Sequence, residues 1–177
     1  MEKRYQVFVS STYSNLKKER EVVMRKLLEM NFFPAGMEIF PAADDSQIKY
    51  IKKIIDDSDY FIVIVAGKYV TLNKYNISYT EMEFNYALET NKPILSFLYE
   101  DIDNLKNSEV ETKLSRVKLL KNFRDRLTTD RMVKFWKNKD DLGAKVVTAL
   151  GLKMHITKHA SNIVKHGSAY WESPHQG

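Results

Sequence analysis

A serine and two glutamates lie close together near the middle of the chain, and their spacing gives them different tasks. Ser78 and Glu81 have the spacing of a capping box, in which the serine accepts a bond from the third helical N–H and the glutamate reaches back to the serine N–H. Glu83 lies two residues further on, which on a helix turns it about 200° away from Glu81. Glu83 therefore has no capping task. It is either a catalytic carboxylate at the ligand cleft or a solvated acid that the helix dipole favours near the start of the helix.

Hydroxyl groups and a polar loop could complete a ligand site around this carboxylate. Ser10, Ser11 and Thr12 end an apolar segment, and they could bind a phosphate or a ribose; alternatively they end the strand and cap the next helix. Phe40 could stack on a ligand ring or pack in the core. Asp44, in the loop that follows Phe40, is a further candidate contact, although with Gln47 it also forms a variant of the capping box.

The elements that position these residues alternate between strands and helices. Strands are predicted at residues 5–11, 37–40, 59–66, 93–99 and 132–136, with helical apolar spacing between them. The third strand is apolar on both faces, as in a central parallel strand that helices cover on each side. We expect Phe61, Val63 and Val65 to be buried on one side of the sheet and Tyr60, Ile62 and Ile64 on the other.

About five such units predict a flavodoxin-like α/β fold, a three-layer sandwich around a parallel sheet of strand order 2-1-3-4-5. In open sheets of this kind, ligands bind outside the carboxyl ends of the strands, near the point where the strand order reverses. The predicted site therefore lies between residues 10–14, 40–46 and 67–78. We expect residues 1–152 to form this domain and residues 153–177 to form a C-terminal extension or linker. Such a tail is typical of a domain that is one piece of a longer protein.

Several classes of protein are excluded or disfavoured by composition and motifs. The chain has no cysteine and no P-loop, dinucleotide-binding G-x-G-x-x-G or G-x-S-x-G motif. The formal net charge is +5, and the basic residues are interspersed with acidic ones, which disfavours nucleic acid as a partner. No metal site is expected, because the histidine pair His155 and His159 lacks a third ligand. No apolar run is long enough for a membrane span, and a cytoplasmic location is expected.

Four stretches resemble a bacterial family of uncharacterised TIR-like domains, which often stand at the N-terminus of larger proteins, including defence proteins. The four stretches are residues 4–12, 34–41, 58–60 and 77–84, and the resemblance extends to Leu16, Glu19, Arg20, Tyr86 and Ala87. The family is a distant relative of TIR domains, which share the flavodoxin-like architecture. The resemblance covers residues 4–98 closely and the remainder loosely.

This resemblance implies a chemistry for Glu83. In catalytic TIR domains, a glutamate five residues after a serine splits NAD into nicotinamide and ADP-ribose, and Ser78 and Glu83 have that spacing. NAD would be a substrate, with no cofactor, and activity would require homotypic self-association. Lys68, Tyr69 and Val70 stand where TIR domains usually have Arg-Tyr-Gly, so Lys68 and Tyr69 are candidate substrate contacts. Lysine keeps the charge of arginine but loses its planar fork.

Two other functions stay open at this point. The same fold hosts non-catalytic modules that recruit partners through homotypic contacts. A nucleoside N-glycosidase or deoxyribosyltransferase would share the essential glutamate with an NAD-cleaving enzyme.

Overall fold

The strands and helices alternate along the chain in a computed structural model that describes residues 3–36, 45–70, 72–129 and 131–167. The strands are β1 (Gln6–Ser11), β2 (Phe33–Ala35), β3 (Tyr60–Val65), β4 (Ile94–Tyr99) and β5 (Met132–Trp136). The helices are α1 (Lys17–Glu29), α2 (Asp45–Asp57), α3 (Tyr79–Glu89), α4 (Leu114–Thr128) and α5 (Lys139–Gly167).

The five strands form one parallel sheet in the order β2-β1-β3-β4-β5, which confirms the predicted flavodoxin-like arrangement. Each face of β3 contributes to a separate core. Tyr60, Ile62 and Ile64 pack with residues of α1 and α5, and the alternate residues Phe61, Val63 and Val65 pack with residues of α2, α3 and α4. The sheet is therefore the middle of three layers, and all six side chains are buried as predicted.

The second strand lies earlier in the chain than predicted. Strand β2 comprises Phe33–Ala35 and pairs with β1 at the edge of the sheet, whereas residues 37–40 lie outside the described residues. Helix α1 ends at Glu29 because Asn31 adopts a left-handed φ of 64°, a conformation that asparagine tolerates well after a helix. The chain thus turns into the sheet sooner, and Pro34 is tolerated because β2 is an edge strand.

The last helix is longer than the apolar spacing of the sequence predicts. Helix α5 runs to Gly167, through much of the segment expected to be an extension, whereas residues 168–177 lie outside the described residues. The domain boundary expected at residue 152 is not tested by this observation. Of the helices in the described ranges, none combines the length and apolar character that a bilayer span requires.

Candidate active site

Ser10 is buried at the carboxyl end of β1, on the face of the sheet that α3 covers. It lies beside Val63 of β3 and is only 1% exposed. Its hydroxyl donates a hydrogen bond to the carboxylate of Glu83. The sheet and the helix after the central strand therefore bring together two of the residues that the sequence predicts for the site.

Glu83 is a buried carboxylate with an unusual ionisation. The residue is 6% exposed, and removal of the carboxylate from water raises the pKa of Glu83 from 4.5 to about 7. The Ser10 hydrogen bond and the positive charge of Arg20 oppose this rise, because both favour the ionised form. Glu83 is thus close to half ionised at neutral pH, a range in which a carboxylate can act in proton transfer or charge stabilisation.

Arg20 of α1 holds the end of β1 in place. Its guanidinium donates hydrogen bonds of 2.9 Å both to the backbone carbonyl of Val9 and to the hydroxyl of Ser11. A side chain on Gly36 would bring its Cβ to 2.7 Å from the Arg20 guanidinium, so the residue after β2 must be small. Ser11, predicted as a substrate contact, therefore has a structural partner in this arrangement.

Four of the predicted substrate-binding residues line one cleft at the same edge of the sheet. These residues are Thr12, Lys68, Tyr69 and Ser78, and the cleft is completed by Val65, Thr80 and Phe123. The cleft is partly open to solvent and encloses a volume of about 10 Å³. That is smaller than the roughly 300–1,000 Å³ typical of pockets for small molecules. Admission of a nucleotide therefore requires the walls of the cleft to move apart.

The Ser10–Glu83 pair lies next to this cleft. Thr80 lines the cleft and precedes Glu83 by three residues, so both side chains project from one face of α3. Thr12, another lining residue, follows Ser10 by two positions along the chain. The two buried groups are therefore neighbours of cleft-lining residues both along the chain after β1 and on α3.

Glu81 has a different role from the one that its sequence spacing predicts. The hydroxyl of Ser78 accepts a bond of 3.1 Å from the backbone N–H of Glu81, which confirms that Ser78 caps α3. The carboxylate of Glu81, however, accepts hydrogen bonds from the hydroxyl of Tyr69 and from the guanidinium of Arg126. The prediction that it returns to the Ser78 N–H is wrong, because two distant donors occupy its oxygens instead.

Tyr69 is thereby held in the core as well as in the cleft wall. Its ring is fully buried and packs edge-to-face on Phe123, with ring centroids 6.3 Å apart. Burial, together with the hydrogen bond to Glu81, raises the pKa of Tyr69 to about 12. Tyr69 therefore stays a neutral hydrogen-bond donor, and its contact with Glu81 joins the loop after β3 to the start of α3.

The remaining predicted residues are not brought to the site by any described contact. Phe40 and Asp44 lie outside the described residues. His155 and His159 stack on the exposed surface of α5 with ring centroids 6.3 Å apart. Within the described part of the chain, no three side chains of the types His, Cys, Asp or Glu cluster as metal ligands.

Sequence reasoning about the site missed Arg20, although a signal for it exists. Arg20 stands in a run of alternating charges that is typical of a solvated helix face. It nevertheless falls four residues after Leu16 and three before Val23, on the apolar stripe of α1, and it is buried there. A charged residue on an apolar stripe indicates a buried polar partner.

Comparison with known proteins identifies a family. The family model described as a domain of unknown function (DUF4062) matches residues 6–151. The CMP N-glycosidase BcmB of Clostridium botulinum is 17% identical over 80% of this chain and 96% of its own, with a TM-score of 0.49. A 2-deoxyribosyltransferase from Leishmania mexicana is 13% identical over 80% and 97%, with a TM-score of 0.48.

A third solved structure, a short-chain flavodoxin associated with a bacterial microcompartment, is 12% identical over 83% of this chain and 97% of its own, with a TM-score of 0.37. At such identities and TM-scores, these three likenesses carry no argument about the fold or the activity of this chain. No curated protein matches the chain.

Proposed function

This chain belongs to the family described as a domain of unknown function (DUF4062), and we propose that it cleaves the N-glycosidic bond between a ribose and a base in a nucleotide-type substrate. The observation that supports this proposal is the Glu83 carboxylate at the carboxyl edge of a parallel sheet. It is buried, is hydrogen-bonded by Ser10, and has a pKa raised to about 7. Among the described residues, Glu83 is the most buried carboxylate, and the other buried one, Glu81, is held by Tyr69 and Arg126.

The chemistry requires a negative charge next to the sugar. When the bond between C1′ of the ribose and the base nitrogen breaks, its electron pair leaves with the base and positive charge develops on the ribose. An ionised carboxylate that is excluded from water stabilises this oxocarbenium-like state strongly, because the local dielectric is low. Glu83 takes this role, and water then adds to C1′. The proton that this water loses goes to the departed base where the base leaves as an anion, as cytosine does, and to the solvent where it leaves neutral, as nicotinamide does.

The cleft supplies groups of the right kind for the rest of such a substrate. Thr12, Ser78 and Lys68 are among the residues that line the cleft, and their side chains carry two hydroxyls and an ammonium group. Hydroxyls can bind the ribose, and a lysine can bind a phosphate as a point charge. NAD, a nucleoside monophosphate and a nucleoside all contain the bond in question, and NAD is the substrate that the TIR resemblance implies.

Access to Glu83 is the condition for activity. Because Glu83 is only 6% exposed, a substrate reaches its carboxylate only after the cleft opens. We expect self-association to favour the open form, as the TIR resemblance implies. Activity is therefore expected from protein that is clustered on a multivalent scaffold rather than from dilute monomer.

The test is a search for released base. Clustered wild-type protein is incubated separately with NAD, CMP, cytidine and deoxycytidine, and free nicotinamide or cytosine is measured by chromatography. We expect release from at least one substrate, and loss of that release in Glu83→Gln. Glu89→Gln is the matched control, because it makes the same change at an exposed position of α3 and should leave the rate unchanged.

Two outcomes would contradict the proposal. Folded, clustered protein that releases no base from any of the four substrates would favour a non-catalytic interaction module. Equal release of base by wild type and Glu83→Gln would show that the protein is an enzyme whose mechanism does not use Glu83.

A further inference from the structure

The loop that follows the central strand has a backbone conformation that concentrates N–H groups. Val70 adopts a φ of 57°, in the left-handed region that β-branched residues strongly disfavour. Consecutive N–H groups in such a conformation can point at one place and form a concave site for an anion. The strain at Val70 requires a stabilising contact, and the segment that contains Glu111 provides it.

A carboxylate of the chain itself occupies this place. One oxygen of Glu111 accepts hydrogen bonds from the backbone N–H groups of both Tyr69 and Val70, at 3.1 and 3.3 Å. The backbone N–H of Glu111 in turn donates a bond of 2.8 Å to the carbonyl of Gly67. Glu111 is therefore bound to the loop through its side chain and its backbone together.

The segment that carries Glu111 lies tightly against the loop. A Cβ on Gly67 would come within 2.5 Å of the backbone oxygen of Glu109 and within 2.8 Å of the side chain of Leu105. Residues 105–111, which we term the strap, thus cover Gly67 and deliver the Glu111 carboxylate to the two N–H groups. Among the described residues, the hydrogen bonds between the strap and the loop are those of Glu111, and Glu109 bonds to Lys106 within the strap.

We propose that the N–H groups of Tyr69 and Val70 form a binding site for a phosphate group, and that Glu111 fills this site as an internal substitute for the phosphate. Phosphate and carboxylate oxygens accept the same N–H bonds, and a phosphate offers more charge. The site adjoins the cleft, because Lys68 and Tyr69 belong both to this loop and to the cleft wall. The inference does not depend on cleavage of an N-glycosidic bond.

Competition with Glu111 has a measurable consequence. A tethered group competes at an effective concentration of roughly millimolar or more, so wild-type protein should bind phosphate compounds weakly. Glu111→Gln removes the competing charge, and pyrophosphate affinity should rise at least about tenfold. Glu111→Asp keeps the charge but withdraws it by one methylene, and it should give a smaller rise in the same direction.

Each protein is titrated with inorganic pyrophosphate, AMP and adenosine, and binding is measured by calorimetry and by amide NMR. Pyrophosphate and AMP should bind to Glu111→Gln and shift the amide resonances of Tyr69 and Val70, whereas adenosine, which lacks a phosphate, should not shift them. AMP binding much tighter than pyrophosphate binding would indicate a nucleotide rather than a free phosphate as the ligand. Glu109→Gln, which removes one charge from the strap without touching the two N–H groups, should bind like wild type.

The proposal is overturned if Glu111→Gln and Glu111→Asp both bind pyrophosphate as weakly as wild type does. An equal gain in Glu111→Gln and Glu109→Gln would also overturn it, since the effect would then be one of general charge. Thermal unfolding of each variant establishes that the proteins compared are folded. If Glu111→Gln does not fold, the charge-conserving Glu111→Asp and the amide shifts decide the question.

Discussion

Glu83 should make the stability of the protein depend on pH in a way that Glu83→Gln abolishes. The folded-state pKa of about 7 lies above the ordinary value of 4.5, so between these pH values the folded state binds more protons than the unfolded state. The contribution of Glu83 to the free energy of unfolding is therefore greatest below pH 4.5 and declines as the pH rises to about 7. The variant is neutral throughout and has no such decline.

The size of the effect follows from the shift. A difference of about 2.5 pKa units, at 1.36 kcal/mol per unit, corresponds to about 3 kcal/mol of unfolding free energy across the whole window. For a domain of this size that is a change of roughly 6–12 °C in the melting temperature. The contributions of the other titrating groups to the unfolding free energy cancel when the variant is compared with wild type at each pH.

The assay is urea unfolding of wild type and Glu83→Gln at several pH values from 4.5 to 8. Relative to wild type, the variant should gain about 3 kcal/mol between the two ends of this range, whereas Glu89→Gln at an exposed site should gain nothing. A difference between wild type and Glu83→Gln that stays constant with pH would refute the reasoning, because it would mean that burial does not raise the pKa of Glu83.

Three further changes test the surroundings of the site. Ser10→Ala removes a hydrogen bond that favours the ionised carboxylate, so the pH-dependent loss of stability should extend to higher pH, measured by the same unfolding series. Gly67→Ala places a Cβ against the strap and should lower the unfolding free energy by about 1–3 kcal/mol, whereas Gly151→Ala, with nothing within 4 Å in α5, should raise it by up to about 1 kcal/mol. Glu81→Gln should cost about 1–3 kcal/mol in urea unfolding, because the Tyr69 and Arg126 donors lose a shared carboxylate while the Ser78 cap stays. A stable Glu81→Gln would indicate that this contact contributes little.

The fold could be predicted from the sequence because its strongest signal is local. A run of six apolar residues in β3 has no polar face, so only a strand covered on both sides accommodates it. Strand β2 was misplaced because it is only three residues long, and the residue that determines its start is the left-handed Asn31. A three-residue edge strand has no periodicity that a pattern can detect.

The site could be predicted only in part, because its contacts join distant positions. The fold rule for parallel sheets placed Glu83 beside the end of β1, and the bond from Ser10 spans 73 residues. The partner of Glu81 was predicted from a local capping rule, but Arg126 lies 45 residues away and replaces that contact. The contact between Glu111 and the loop after β3 likewise has no signal in the sequence.

The central claim, that Glu83 assists cleavage of an N-glycosidic bond, is tested most directly by the initial rate of base release at pH 6 and pH 8. With a pKa of about 7, the ionised fraction of Glu83 rises about tenfold between these values, so clustered wild-type protein should release base about tenfold faster at pH 8. Glu83→Gln should be slower by about 10²–10³ at pH 8 and should show no such rise. A Glu83→Gln variant that matches wild type at both pH values would contradict the account.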